Sequence, residues 1–247
     1  MDFVHIPAGE FLMGSDPKVD KQAYSDEQPQ HKVTLPDYWM AKTPVTNAHY
    51  AAFLAATQHR TPGHWKNGKP PQGKENHPVV YVSWDDAAAF CQWLSQKSGH
   101  KISLPTEAQW EKAARGTDAR IYTWENNQYN PEFCNGRESR IGTTSIVGIF
   151  PQSRSPYQVE DMLGNVWEWT RTEHASKYTN DYTGDDTNNC PQDKKGADIS
   201  VRGGSYSSGP QELRCSARYY FRNTDTTDLD DVGFRVVITT SKFKNLG

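Results

Sequence analysis

Cysteine is scarce in this chain of 247 residues: Cys91, Cys134, Cys190 and Cys215 are all it has. No two of them form a Cys-x-x-Cys pair, which argues against a zinc ribbon. They read as buried or idle thiols of a reducing compartment. No apolar run is long enough to span a bilayer, so no membrane insertion is expected. Met1 to Ile6 lack the basic and apolar regions of a secretory signal, which makes a cytoplasmic location the default expectation. Positive charge is not clustered either. The 27 Lys and Arg are scattered among 30 Asp and Glu, for a formal net charge of -3, and nucleic acid is not an expected partner. A serine nucleophile elbow and a phosphate-cradling glycine loop are also missing. Hydrophobic residues reach only 35%, but 8 Trp, 12 Tyr and 9 Phe offset that shortage, because each aromatic buries a large area. The expectation is a folded, loop-rich chain rather than a disordered one.

What is present falls into two kinds of sequence. Helical signals crowd the first half. Thr46 can cap a helix over residues 46–57, with Tyr50, Phe53 and Leu54 on one face. Ser83 and Asp86 imitate a capping box ahead of a stripe of Ala87, Phe90, Cys91 and Leu94, which Gly99 ends. Thr106 and Gln109 open a third helix, and Gly116 stands where a left-handed residue would close it. Short strands are expected at residues 3–14 around a Pro-Ala-Gly turn, at 31–35, from Tyr38 and at 79–82. After Ala119 only short strands, turns and loops are legible. Helices first and strands later predict an α+β chain, here one domain over 1–247, rather than alternating βαβ units.

The second kind of sequence is a frame around a polar insert. Asp161-Met-Leu-Gly-Asn-Val-Trp-Glu-Trp-Thr170, Val201-Arg-Gly-Gly-Ser-Tyr206 and Val232-Gly-Phe-Arg-Val-Val237 combine glycine turns with large aromatics. Between the last two, Ser207 to Asp231 is rich in Ser, Thr, Asp, Arg and Tyr. A rigid frame holding a polar, aromatic-studded loop is a usual way to build a site.

Seven motifs occur in an order shared with one family: Ile6-Pro-Ala-Gly-Glu-Phe-Leu-Met-Gly14, Pro44-Val-Thr-Asn47, Val82-Ser-Trp84, Leu104-Pro-Thr-Glu-Ala-Gln-Trp-Glu111, Gly164-Asn-Val-Trp-Glu-Trp169, Arg202-Gly-Gly-Ser-Tyr206 and Gly233-Phe-Arg235. The chain resembles the formylglycine-generating-enzyme-like (sulfatase-modifying factor) domain from about Phe3 to Val237. The resemblance implies a C-type-lectin-like fold with two to three helices and small antiparallel sheets. It also implies three kinds of function: copper-dependent cysteine oxidation, iron-dependent sulfur transfer to histidine derivatives, and non-catalytic display of a variable surface by diversity-generating retroelements.

The residues bear on each. The oxidase needs two thiolates, which suit Cu(I). Ser208 stands at the first thiol position, and the second falls where this loop is shorter and has no cysteine. Copper is therefore not expected. Cys215 matches a family cysteine whose partner aligns with Cys91. Iron is not expected either, because no two of the eight histidines have the His-x-x-x-His-x-Glu spacing. Calcium accepts carboxylates and backbone carbonyls. The resemblance places one such site at Asp161, Gly164, Val166 and Glu168, and a second at Asn135, Gly136, Glu138 and Arg140. Without calcium, Asp161 and Glu168 would simply hold the turn.

Tyr219 to Asp231 contains no Lys, Glu, Gln, Met or Trp. Substituting the adenines of Asn codons cannot produce those residues, and Tyr206 to Gly209 obeys the same restriction. The expectation is a variable region over 206–231 that binds a protein or surface molecule as a monomer. Its contact residues would be Tyr206, Ser207, Ser208, Arg218, Tyr219, Tyr220, Phe221, Arg222, Asn223, Asp225, Thr227, Asp228 and Asp230. Rigid tyrosines with small polar neighbours suit such a surface. A metal-dependent oxidoreductase of the same family is the alternative, and a scaffold protein a third reading.

Overall fold

The helices form where a hydroxyl precedes an apolar stripe. The computed structural model describes residues 1–125, 128–178, 194–225 and 229–239. Its helices are α1 (Asn47–Thr57), α2 (Trp84–Ser98) and α3 (Glu107–Arg115). Thr46, Ser83 and Thr106 each accept the amide of the third helical residue, and that residue's side chain returns to the cap. This satisfies donors that no helical carbonyl can reach. Gly99 closes α2 in the left-handed region, at φ 72. Gly116 also has φ 72, but its ψ of -144 turns the chain away instead of making the expected left-handed cap.

The strands of the described residues are β1 (Phe3–Ile6), β2 (Gly9–Met13), β3 (His31–Leu35), β4 (Tyr38–Ala41), β5 (Ile102–Ser103), β6 (Trp167–Glu173), β7 (Asp198–Arg202), β8 (Arg218–Arg222), β9 (Val232–Phe234) and β10 (Val237–Ile238). They form sheets of order β1-β4-β10-β5, β2-β3 and β8-β7-β6-β9. All pairs are antiparallel except β6 with β9, which run parallel in register Trp167↔Val232 to Trp169↔Phe234. The α+β, C-type-lectin-like fold is therefore present, with one departure from purely antiparallel sheets.

The two short strands around the Pro-Ala-Gly turn are β1 and β2, of which β1 joins β4 and β2 joins β3. One expectation needs correction. Residues 79–82 form no strand, although Val79, Val80 and Val82 are buried and Tyr81 is half-buried. Tyr81 has φ 59, outside the extended region, and its amide donates to Leu229 O at 2.8 Å while that of Val79 donates to Val45 O at 2.9 Å.

The core has two parts. One lies among α1, α2 and the β6–β9 side, with Tyr50, Phe53, Phe90, Trp169 and Phe234. The other gathers Phe11, Tyr38, Trp110, Leu213 and Val237 around α3. All nine residues of α3 are buried, four of them charged. Buried charges must be paired. Glu111 takes Arg115 at 2.7 Å and also Arg202; Glu107 takes Arg202 at 3.2 Å and Arg218 at 2.7 Å. Lys112 donates to the carbonyls of Pro7 and Gly9 at 2.7 and 2.9 Å. These pairs fasten β7 and β8 to α3.

Cys91 lies in the first core and Cys215 in the second, and both are free thiols, so the pairing implied by the resemblance is not formed. Burial pushes the Cys134 and Cys215 thiols up to about 12. Cys190 lies outside the described residues.

Candidate functional site: the outer face of β8

Among the described residues β8 is an edge strand, and its sequence Arg-Tyr-Tyr-Phe-Arg is paired on one side, with β7. Tyr219 and Tyr220 are 51% and 45% exposed, against a protein whose other aromatics are mostly buried. They do not hang loose. The Tyr219 ring lies 5.8 Å from Trp167 and 5.3 Å from Phe221, and Tyr220 stacks on His174 at 4.7 Å with planes 25° apart. Phe221 sits edge-on to Trp169 at 5.9 Å and is half-buried. The result is an aromatic row, from Trp167 through Tyr219 and Tyr220 to His174, whose rings already contact one another within the chain.

The Gly203-Gly-Ser-Tyr206 turn adds a second margin. Gly203 has φ 99 and Gly204 φ 70, a conformation that favours glycine. It sets Tyr206 and Ser207 beside the start of β9. The Tyr206 hydroxyl donates to Asp230 Oδ2 at 2.8 Å, and Ser205 and Ser207 donate to Asp231 Oδ2 at 2.7 and 2.8 Å. Burial raises the Tyr206 phenol pKa, and the hydrogen bond and charge of Asp230 raise it further.

Several expected contact residues belong to the interior instead. Arg218 is buried: Nε and Nη2 donate to Glu107 at 2.7 and 3.0 Å, and Nη1 donates to the carbonyls of Asp26 and Ala175 at 2.6 and 3.0 Å. It anchors the strand rather than a ligand. Asn223 is buried and closes a turn, with Oδ1 accepting from Gly196 N at 2.8 Å and Nδ2 donating to Lys194 O at 2.7 Å. Ser208 is buried as well, and its carbonyl accepts from Arg137 N at 2.9 Å. Asp225 is half-buried and caps the Arg222 amide at 3.0 Å. Arg222 and Asp230 are exposed. Thr227 and Asp228 lie outside the described residues.

Sequence reasoning missed three members. His174 was one anonymous histidine among eight, and only its stack on Tyr220 gives it a place. Its pKa is lowered by burial and by the Arg218 charge. Trp167 belongs to the frame and Asp231 ends the polar insert outside the expected contact set, yet both border the row. Their position follows from the parallel β6–β9 pairing, which no local pattern announces.

At the copper position of the resemblance, Ser208 offers a protonated hard oxygen, and Cys215 is committed to the second core. Those donors do not fit Cu(I). The two calcium turns do meet: Asn165 N donates to Asn135 O at 2.8 Å. Glu168, however, receives Arg235 through Nε at 2.6 Å and Nη2 at 2.7 Å, and Trp110 Nε1 at 2.8 Å. Both its oxygens are therefore occupied. Asp161 accepts Gly148 N at 2.6 Å, and burial raises its pKa to about 6. At the second turn, Asn135 Nδ2 donates to Thr143 O at 2.9 Å and Glu138 accepts Tyr129 OH at 3.2 Å. Gly136 and the left-handed Arg140 shape that turn.

The chain is 30% identical to the formylglycine-generating enzyme of Mus musculus, over 94% of this chain and 73% of that protein. Among solved structures it is similar to PvdO from Pseudomonas aeruginosa, at TM-score 0.83 and 27% identity over 96% of this chain and 94% of that one. It shares its fold with Treponema denticola variable protein 1, at TM-score 0.74 and 23% identity over 96% of this chain and 94% of that one. The model of the sulfatase-modifying factor enzyme 1-like domain matches residues 1–240, and with the Gly-Gly-Ser turn and the lectin-like sheets in place the chain belongs to that family.

Proposed function

We propose that this chain is a non-catalytic member of its family that binds a protein or surface molecule through the outer face of β8. The observation that supports this reading most is the pair of half-exposed tyrosines, 51% and 45%, fixed in a stacked row on an edge strand. Pre-stacked tyrosines present large area and lose little entropy on binding. The contact set is Tyr206, Ser207, Tyr219, Tyr220, Arg222 and Asp230, with Phe221 beneath. The restricted composition of 219–231 is what diversification through Asn codons would leave, and the gene supplies that test. A neighbourhood without an adenine-rich template repeat and reverse transcriptase would remove the diversification and leave the binding.

The direct experiment is selection from a displayed random peptide library. Clones enriched on the protein should lose binding to a Tyr219→Ala/Tyr220→Ala variant that melts like the parent. Enrichment that survives both substitutions would refute the assignment of this face. The similarity to formylglycine-generating enzymes favours a second reading, a metal-dependent oxidoreductase. Oxygen-consuming oxidation of a thiol peptide in the presence of copper or iron would decide for it. Calcium at the Asp161 turn is part of the first reading. It would take Asp161 and the carbonyls of Gly164 and Val166, and would need Glu168 released from Arg235.

A further inference from the structure

The aromatic row crosses from one face of its sheet to the other. Successive side chains of a strand point to opposite faces. Tyr219 lies on the face of the first core, with Trp167 and Phe221 at 5.8 and 5.3 Å between ring centres. Tyr220 lies on the α3 face with Ser200, its register partner, and with His174, whose Nδ1 is 3.3 Å from Ser200 Oγ. Arg218 marks that second face by its bonds to Glu107 of α3. Yet the Tyr219 and Tyr220 rings are 5.8 Å apart, with planes at 22°. β7 fills one side of β8, so rings rooted on opposite faces meet by leaning over the other side, the edge.

That edge holds unpaired main chain. Asn223 N donates to Ala197 O at 2.9 Å, which fixes the phase of the ladder. The amides and carbonyls of Tyr219 and Phe221 then face β7, and those of Tyr220 and Arg222 face outward. The outward groups of Arg222 are both engaged: its amide donates to Asp225 Oδ2 at 3.0 Å, and its carbonyl accepts from Asp225 N at 2.9 Å. Those of Tyr220 have no hydrogen-bond partner among the described residues. Such an edge is a template for strand addition, and proteins shield it.

We infer that the Tyr219 and Tyr220 rings form a clasp over the β8 edge, which shuts out the main chain of any extended segment, a second copy of β8 included. Partners of this face therefore meet the rings and not a strand edge. That consequence deepens the binding reading above and rests on it; the clasp itself does not.

Amide hydrogen exchange, followed by NMR on the intact protein, tests the clasp without a ligand. Tyr219→Ala should speed exchange at Tyr220 about fivefold, the weight of one aromatic pair in the balance between open and closed clasp. Phe221, whose amide faces β7, should stay as slow as in the parent and so report an intact ladder. No change at Tyr220, or an equal change at Phe221, overturns the inference. Displayed random peptides enriched on the parent protein test its consequence. They are remade with single amide-to-ester replacements, each of which deletes one N–H. With the edge shut, no replacement should weaken binding by more than about twofold. Losses of about fivefold or more at one position or at two alternate ones are the sign of strand pairing and overturn the inference. If no peptide binds, or binding ignores Tyr219→Ala/Tyr220→Ala, the binding reading fails and the exchange rates alone decide the clasp.

Discussion

Replacing Arg218 with alanine separates a structural arginine from a binding one. Its guanidinium makes two hydrogen bonds to Glu107 and two to backbone carbonyls, and lies 4.3 Å from the Tyr178 ring centroid. The substitution leaves Glu107, which is 0% exposed, with Arg202 as its remaining ion-pair partner at 3.2 Å. Breaking a buried pair from one side costs about 3–5 kcal/mol. In a chain of this size 1 kcal/mol is worth roughly 2–4 °C in Tm, so a fall of about 10 °C is expected. Differential scanning calorimetry at pH 7 reads it. Tyr220→Ala removes a half-exposed ring from the same strand and should shift Tm by no more than about 2 °C. An Arg218→Ala protein that melts with the parent yet no longer binds selected peptides would refute the interior assignment. Burial alone would raise the pKa of Glu107, but Arg218 and Arg202 outweigh it and hold it below the ordinary carboxylate value. A lowered pKa stabilises above the unfolded value and the stability is lost as pH falls through the folded one. The difference between parent and Arg218→Ala should therefore narrow in strong acid.

Asp161 has the opposite sign. Burial first, then the charges of Glu160 and Glu168, outweigh the Gly148 amide and Arg235 and raise its pKa to about 6. A raised pKa contributes stability below the unfolded value that is lost as pH climbs through about 6. Asp161→Asn should thus raise Tm at pH 7 and flatten the slope between pH 4 and 6; a lower Tm at pH 7 contradicts this. Should calcium bind there, millimolar calcium would raise the parent's Tm and leave Asp161→Asn unmoved. Gly164→Ala should lose several kcal/mol, because φ is 81 and a Cβ would stand 2.5 Å from Asn135 O. Urea denaturation measures it, and a change below about 1 kcal/mol would be contrary. Tyr50→Phe removes a buried hydroxyl that has no hydrogen-bond partner among the described residues and should leave urea stability equal or higher, since an orphaned buried polar group costs about 1–3 kcal/mol. A clear loss would show that the hydroxyl is satisfied.

The sequence by itself determined the local structure. Thr46, Ser83 and Thr106 started helices because a side-chain oxygen within three residues can replace a missing carbonyl, and such a contact needs no tertiary partner. The glycines of the Gly203-Gly turn and the order of the motifs likewise announced the frame and the family. Tertiary structure decided which side of that frame faces outward. Arg218, Tyr219, Tyr220 and Asn223 look alike as polar or amphipathic residues in one short stretch. Glu107, more than a hundred residues earlier, draws Arg218 inside, and the turn at Gly196 consumes Asn223. The tyrosines stay out because, among the described residues, β8 has a neighbouring strand on one side only. Long-range charge pairing and strand order set burial, and neither is written in any window of residues that a local pattern can read.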